Sequence, residues 1–246
     1  MAYADAYLAL DDQKRALESA EKAYSLDITM LPVYQLLGSL YLESGQYQEA
    51  VNALELFVIY EKENSLALAM LGQAYYEQKD YQAAVDNFDK AFELNRTGLK
   101  RYYLYSGYSN LELGNMDQAV GQLETALDED KTSFEINLAL ARGYFLQEKF
   151  GSAFQKVEVL KSVADTDEET ALMLYWRALV QEKRDEPKDA LKAWKELVAM
   201  DEKSMTTEMR EEALQHLKTI ITPTNTPKSG TPTPKIKVTP SRTPTP

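Results

Sequence analysis

The sequence predicts an all-α array of antiparallel helix pairs, and three observations predict it. A small residue recurs on a fixed ruler: Ala16, Ala50, Ala84, Ala119, Ala153 and Ala190 stand in like contexts, 34, 34, 35, 34 and 37 residues apart. Companions travel with each alanine. Tyr7, Tyr41, Tyr75 and Tyr144 lie nine residues before it, Gly38, Gly72, Gly107, Ala141 and Ala178 twelve before, and Ala23, Phe57, Ala91, Ala126, Leu160 and Leu197 seven after. Glycine and proline are sparse until the last twenty-five residues, and Ala, Leu, Glu, Gln, Lys and Tyr fill the rest, which favours helix over sheet.

The period has a physical cause. Each unit reads as two helices: the first carries Leu, Gly or Ala, and Tyr at i, i+1 and i+4, the second a small residue followed at i+4 and i+7 by apolar ones, which puts each set on one face. Small residues let two backbones approach, and an aromatic ring fills the space beside them. Turn signals fall between the helices at Asp11-Asp12, Ser44-Gly45, Lys79-Asp80, Gly114-Asn115 and Asp185-Glu186-Pro187. One unit alone cannot bury its apolar face, so stability must come from stacking on neighbours.

The units run over about 1–30, 31–64, 65–98, 99–133, 134–167 and 171–203. The first lacks its opening residues, so Met1 is expected to fall inside a longer protein. Residues 204–221 continue as a helix with Met205, Met209, Ala213, Leu217 and Ile220 or Ile221 on one face, the solvating cap such arrays need. The pattern weakens in the fourth unit at Ser109 and Asn110 and in the sixth at Gln181, which follows extra residues at Asp165 to Thr170. Looser packing or a bend is expected there.

The stretch Tyr34-Gln35-Leu36-Leu37-Gly38-Ser39-Leu40-Tyr41 with Ala50, Leu54 and Phe57, and again Leu71-Gly72 with Tyr75, Ala84, Phe88 and Ala91, closely resembles the tetratricopeptide repeat family. The resemblance covers about residues 1–203. It implies a right-handed superhelical solenoid whose first helices line a concave groove that binds a protein or peptide. Carried onto this sequence, the groove places are Gln35, Ser39, Glu43, Gln73, Tyr76, Glu77, Tyr108, Glu112, Arg142, Phe145 and Tyr175. Glu43, Glu77 and Glu112 share one place in three successive units, an acidic ladder, so the implied partner carries basic and apolar residues. Tyr34, Tyr75, Phe88, Phe92, Trp176 and Trp194 are assigned to packing between helices. One subtype of the family clamps the C-terminal carboxylate of heat-shock chaperones with Lys, Asn and Arg. Gln35, Ser39, Ala69, Gln73, Leu104 and Tyr108 stand in those places here, so the clamp is not expected.

Charge narrows the partners further. Lys and Arg number 27 against 39 Asp and Glu, a net charge of −12. The segment from Thr222 onward holds Lys228, Lys235, Lys237 and Arg242 and no acid, so the body carries −16 and the tail +4. A body this acidic repels phosphate backbones, which excludes DNA and RNA as direct partners. No apolar run reaches the roughly 18 residues that span a bilayer, and Met1 to Asp5 lacks the basic and apolar regions of a signal peptide. A soluble segment is expected, cytoplasmic or exposed at a bacterial cell envelope. Every proline of the tail follows a threonine, from Thr222-Pro223 to Thr245-Pro246, which reads as an extended, disordered linker over 222–246. Similar Thr-Pro linkers occur in exported bacterial surface proteins, a resemblance of composition that points to a bacterial source.

Catalytic chemistry has few candidates. With no cysteine, disulfides and thiolate ligands are excluded, and His216 is the sole histidine. The acids of Asp165 to Glu169 have the alternation of a calcium loop, but no glycine stands at the sixth place and Trp176 replaces the required bidentate Glu, so a solvated loop is the better reading. Asn95-Arg96-Thr97 matches a glycosylation sequon. No enzyme activity and no cofactor are expected. The expected function is a protein-interaction scaffold. Its rivals are a structural spacer or self-association module of a larger envelope protein, an accessory domain of an enzyme outside this segment, and occlusion of the groove by the chain's own basic tail.

Overall fold

Thirteen α-helices and two short 3-10 turns carry the described residues, 2–221 of a computed structural model, and no strand occurs among them. The expectations for residues 222–246 and for Met1 lie outside the described residues. The chain divides into two compact units, Met1–Glu129 and Asp130–Pro246.

Unit 1 holds four pairs: α1 (Ala2–Leu8) with α2 (Gln13–Leu26), α3 (Leu31–Glu43) with α4 (Tyr47–Tyr60), α5 (Ser65–Glu77) with α6 (Tyr81–Leu94), and α7 (Tyr103–Leu113) with α8 (Met116–Leu127). A 3-10 turn at Lys100–Tyr102 leads into α7. Each helix packs on the next in sequence, and α3 also packs on α5 and α5 on α7, so the first helices of successive pairs form one wall. Unit 2 holds α9 (Phe134–Leu146) with α10 (Phe150–Val163), α11 (Asp167–Lys183) with α12 (Pro187–Ala199), and the closing helix α13 (Thr207–Ile221), which packs on α12.

Local sequence explains where the helices start and turn. Asp12, Asn64, Asp80, Ser133 and Thr166 each accept a hydrogen bond from the backbone amide three residues on, satisfying an otherwise orphaned donor. Within every pair the chain reverses through a left-handed residue five places before the ruler alanine: Asp11, Gly45, Lys79, Gly114, Glu148 and Asp185, with φ between 58° and 82°. Only two of the six are glycine. The other four hold a side chain where the Cβ meets the following carbonyl, and the packed helices on either side keep them there.

The ruler alanines are all wholly buried, and the glycines twelve residues before them meet the second helix directly. A Cβ on Gly38 would lie 2.4 Å from Leu54 Cγ, and one on Gly72 2.9 Å from the Phe88 ring, so at these crossings only glycine fits. Neighbouring pairs are tied by a repeated bond across twenty residues: the Tyr41 hydroxyl donates to Glu21 at 3.0 Å, and that of Tyr75 to Glu55.

Two expectations need correction. Ser109 and Asn110 do not loosen the fourth pair, because both are wholly buried within a satisfied network. Asn110 Nδ2 donates to Ser106 O and Gln122 Oε1, Asn110 Oδ1 accepts from Asn115 Nδ2, and Ser109 Oγ donates to Tyr105 O. Hydrogen bonds take the place of the ring's contacts there. The solvated loop expected at Asp165 to Glu169 is largely helix: Asp167 to Glu169 form the first turn of α11, so the extra residues lengthen that helix. Thr166 caps its start, and Glu169 reaches back to the amide of Asp165 at 2.8 Å in a capping-box arrangement.

Candidate functional site

In unit 1 the wall of α3, α5 and α7 carries the predicted groove places. Gln35 and Ser39 on α3 and Gln73 on α5 are half-buried. The acids are graded: Glu43 is exposed, whereas Glu77 and Glu112 are half-buried. Burial pushes the Glu77 carboxyl above its ordinary value, and Glu77 in turn adds to the upward shift that burial gives the nearby Tyr47 phenol. Glu43 acts on the Tyr102 hydroxyl in the same sense, against the Arg101 guanidinium that donates to that hydroxyl at 2.5 Å. Glu43 and Glu77 therefore stand beside phenols.

The aromatic places do not stand open as expected. Tyr76 and Tyr108 are buried and packed together, ring centroids 6.3 Å apart, with Tyr105 at 5.4 Å and Tyr81 at 6.0 Å from Tyr76. Burial drives the Tyr76 phenol far upward, so it stays neutral. These rings form a floor beneath the polar row rather than free anchors, because stacked helices leave that register position between them. Tyr105 lies one helical turn before Tyr108 and could have been found by that spacing. Tyr81 opens α6 five residues after Tyr76, and the same five-residue pair recurs in unit 2 as Phe145 and Phe150, centroids 5.6 Å apart.

Unit 2 uses its groove places differently. Arg142 is half-buried on α9, and Phe145 is buried edge-on against Trp176 at 5.7 Å. Tyr175 is wholly buried, wedged against Trp176 and Trp194, and its hydroxyl donates to Glu212 of α13 at 2.5 Å. As an open groove residue it is corrected: the closing helix occupies it. The same helix brings His216 onto the Trp194 ring, 4.9 Å between centroids, and its Nδ1 to 2.9 Å from the Glu182 carboxylate, which also accepts from Trp194 Nε1 at 2.6 Å. Glu182, Glu212 and His216 were not among the expected site residues, because their meeting depends on how α13 folds back. No group of three His, Cys, Asp or Glu side chains among the described residues is arranged to hold a metal ion, and no described helix is long and apolar enough to cross a membrane.

Stacked antiparallel helix pairs with a polar inner wall define a helical-repeat scaffold. The profile of the tetratricopeptide repeat family matches residues 36–96, the α3 to α6 region that holds the Gly38 and Gly72 crossings, so that stretch carries tetratricopeptide repeats. Among solved structures it is similar to PilF of Pseudomonas aeruginosa, at 16% identity and a TM-score of 0.66 over 87% of this chain and 96% of that one. It is also similar to PilW, described as a type IV pilus biogenesis factor, at 16% identity and TM-score 0.63 over 89% and 95%. A third relative is YrrB, described as a repeat protein with an unusual peptide-binding site, at 20% identity and TM-score 0.56 over 78% and 88%. At these identities the likeness is one of fold. Comparison with curated proteins finds no match.

Proposed function

We propose that the protein is an interaction scaffold whose unit 1 inner wall holds a basic, partly apolar peptide segment in extended form. The observation that carries this reading is the ladder Glu43, Glu77 and Glu112 on consecutive wall helices, one per pair, beside the amides of Gln35 and Gln73 and above the tyrosine floor. Glu77, whose carboxyl is raised by burial, gains most from an incoming cation, since pairing offsets desolvation already incurred on folding. The likeness of fold to the peptide-binding YrrB is consistent with it. The unit 2 wall is assigned no ligand, because α13 already engages Tyr175 and Glu182.

The test is binding of fluorescent peptides that alternate Lys or Arg with Leu or Tyr, read by anisotropy. Saturable binding that weakens about tenfold or more in Glu43→Gln/Glu77→Gln/Glu112→Gln, and weakens with salt, supports the reading. Equal binding by the triple variant removes it.

A further inference from the structure

Tyr76, on the middle helix of the unit 1 wall, is only 7% exposed, yet its hydroxyl has no hydrogen-bond partner among the described residues. Other tyrosines of the array are engaged: the hydroxyls of Tyr34, Tyr41, Tyr75, Tyr102 and Tyr175 each hold one. The Tyr76 oxygen is not among the sealed, unsatisfied atoms of the core either, so it reaches the wall surface. The groups that act on it are Tyr108, Glu77, Tyr81 and Tyr105, phenols and one carboxyl. Leu42 on α3 and Leu111 on α7 stand in the same register place, so this open donor belongs to α5 alone.

Glu43, Glu77 and Glu112 are the only charged side chains on α3, α5 and α7. Each lies at or next to the last residue of its helix, where free carbonyls already carry negative partial charge and an acid is disfavoured. Glu43 and Glu77 form no ion pair with a described Lys or Arg, neither with Lys79 in the turn after Glu77 nor with Arg101 beside Tyr102. Because α3 packs on α5, the two carboxylates stand about 10 Å apart at ordinary helix spacing, and the Gln78 amide reaches Gln48 at 3.2 Å across the two corners. Three residues of an extended chain cover that length. Tyr47, at the corner that Glu43 opens, is close enough to Glu77 for the carboxylate to act on its phenol. A ring beside a carboxylate seats a guanidinium, whose plane lies on the ring while its N–H fork meets the acid. The chain uses the ring half of such a seat itself, with the Arg101 guanidinium 4.7 Å over Tyr102. Resting on the scaffold reading above, we infer that unit 1 selects a segment with arginine at every third residue. Glu43 and Glu77 each take one guanidinium, and the Tyr76 hydroxyl donates to a backbone carbonyl of the segment.

The test is anisotropy of the full chain with short fluorescent peptides of one composition, their arginines either at every third residue or bunched at one end. The spaced peptide should bind about tenfold more tightly than the bunched one, and lysine in place of its arginines should cost about tenfold. Tyr76→Phe removes only an unbonded hydroxyl, so it should leave the melting temperature unchanged while weakening the spaced peptide about tenfold. A marked fall in melting temperature would show that the hydroxyl is bonded within the fold, which overturns its assignment. A bunched peptide that binds as well as the spaced one overturns the three-residue period. Binding that needs the acidic ladder but ignores spacing, lysine and Tyr76→Phe overturns the whole inference and leaves the scaffold reading standing. Binding that also ignores Glu43→Gln/Glu77→Gln/Glu112→Gln removes both.

Discussion

The two units are built on the same 34-residue pair yet differ in what their inner places do. Unit 1 holds 21 Asp and Glu against 9 Lys and Arg, while residues 130–221 hold 18 against 14. Gln35 on α3 and Tyr175 on α11 occupy the same register position, but Gln35 is half-buried beside an acidic ladder and Tyr175 is sealed by Glu212 of α13. The crossings differ as well: unit 1 uses Gly38, Gly72 and Gly107 against Leu54, Phe88 and Leu123, whereas unit 2 has Ala141 and Ala178 there. A repeat scaffold can thus commit one stretch of wall to its own closing helix and leave another for a ligand without changing the repeat.

The largest effect that could break this contrast is at Trp194. It is wholly buried, touches Tyr175 and His216, and donates to Glu182, so Trp194→Ala should cost about 3–5 kcal/mol in denaturant unfolding. Amide exchange should rise throughout α13 while the amides of α3 to α6 keep their protection. Equal loss in α3 to α6 would mean that the closing helix supports more than unit 2.

The crossings give a smaller effect. Gly72→Ala drives a methyl into the Phe88 ring and should destabilise by about 1–3 kcal/mol, despite alanine being the better helix former. In unit 2 the opposite change, Ala141→Gly, should also destabilise, by about 1 kcal/mol or more, through helix propensity and the loss of a buried methyl. Chemical denaturation of both variants checks the pair. A stabilising Gly72→Ala would show that Phe88 yields easily.

The turns should respond in the other direction, and equally in both units. Lys79 in unit 1 and Glu148 in unit 2 sit at φ 66° and 59°. Lys79→Gly and Glu148→Gly relieve the steric penalty of a left-handed side chain but loosen the unfolded chain, leaving a net gain of about 0.5–1 kcal/mol. Gly114→Ala, at φ 82°, should lose about as much.

The pairs, their turns and their crossings were legible because a 34-residue period reports packing that every unit must repeat. Ala50 and Gly38 are buried wherever the chain goes next. The aromatic groove places were not legible in the same way. Tyr108 shares its register position with Ser39, Gln73 and Arg142, so only the approach of neighbouring helices decides whether a ring there meets water or another ring, whereas Tyr76 and Phe145 share theirs with Leu42 and Leu111, a sign of packing that the groove assignment passed over. Tyr175 and His216 were hidden for a different reason: their partners Glu212 and Glu182 come from α13 meeting α11, outside the repeat. Ser109 and Asn110 misled because a single sequence shows a missing aromatic but not the amide and hydroxyl partners that replace it.

The smallest effect sharpens the assignment of the acidic ladder. Burial raises the Glu77 carboxyl above its ordinary value of 4.5, so the folded state holds that proton more tightly than the unfolded chain does. A carboxyl raised in this way makes stability fall as pH climbs from the unfolded value through the folded one, because the unfolded chain ionises freely in water while the folded state must carry the same charge where burial disfavours it. Above that window the charged Glu77 weakens unit 1, and below it the penalty is gone. Glu77→Gln should therefore raise the melting temperature at neutral pH, and the gain should shrink to nothing as pH falls below 4.5. Glu43→Gln, at an exposed place on the same ladder, should leave the melting temperature nearly unchanged at either pH. If Glu77→Gln instead destabilises at neutral pH, the carboxylate has a partner within unit 1, and the ladder is a structural network rather than a surface held ready for a cation. A stabilising Glu77→Gln that also loses peptide binding would mean that this carboxylate is kept charged at a cost to the fold, which is the signature of a residue retained for its ligand.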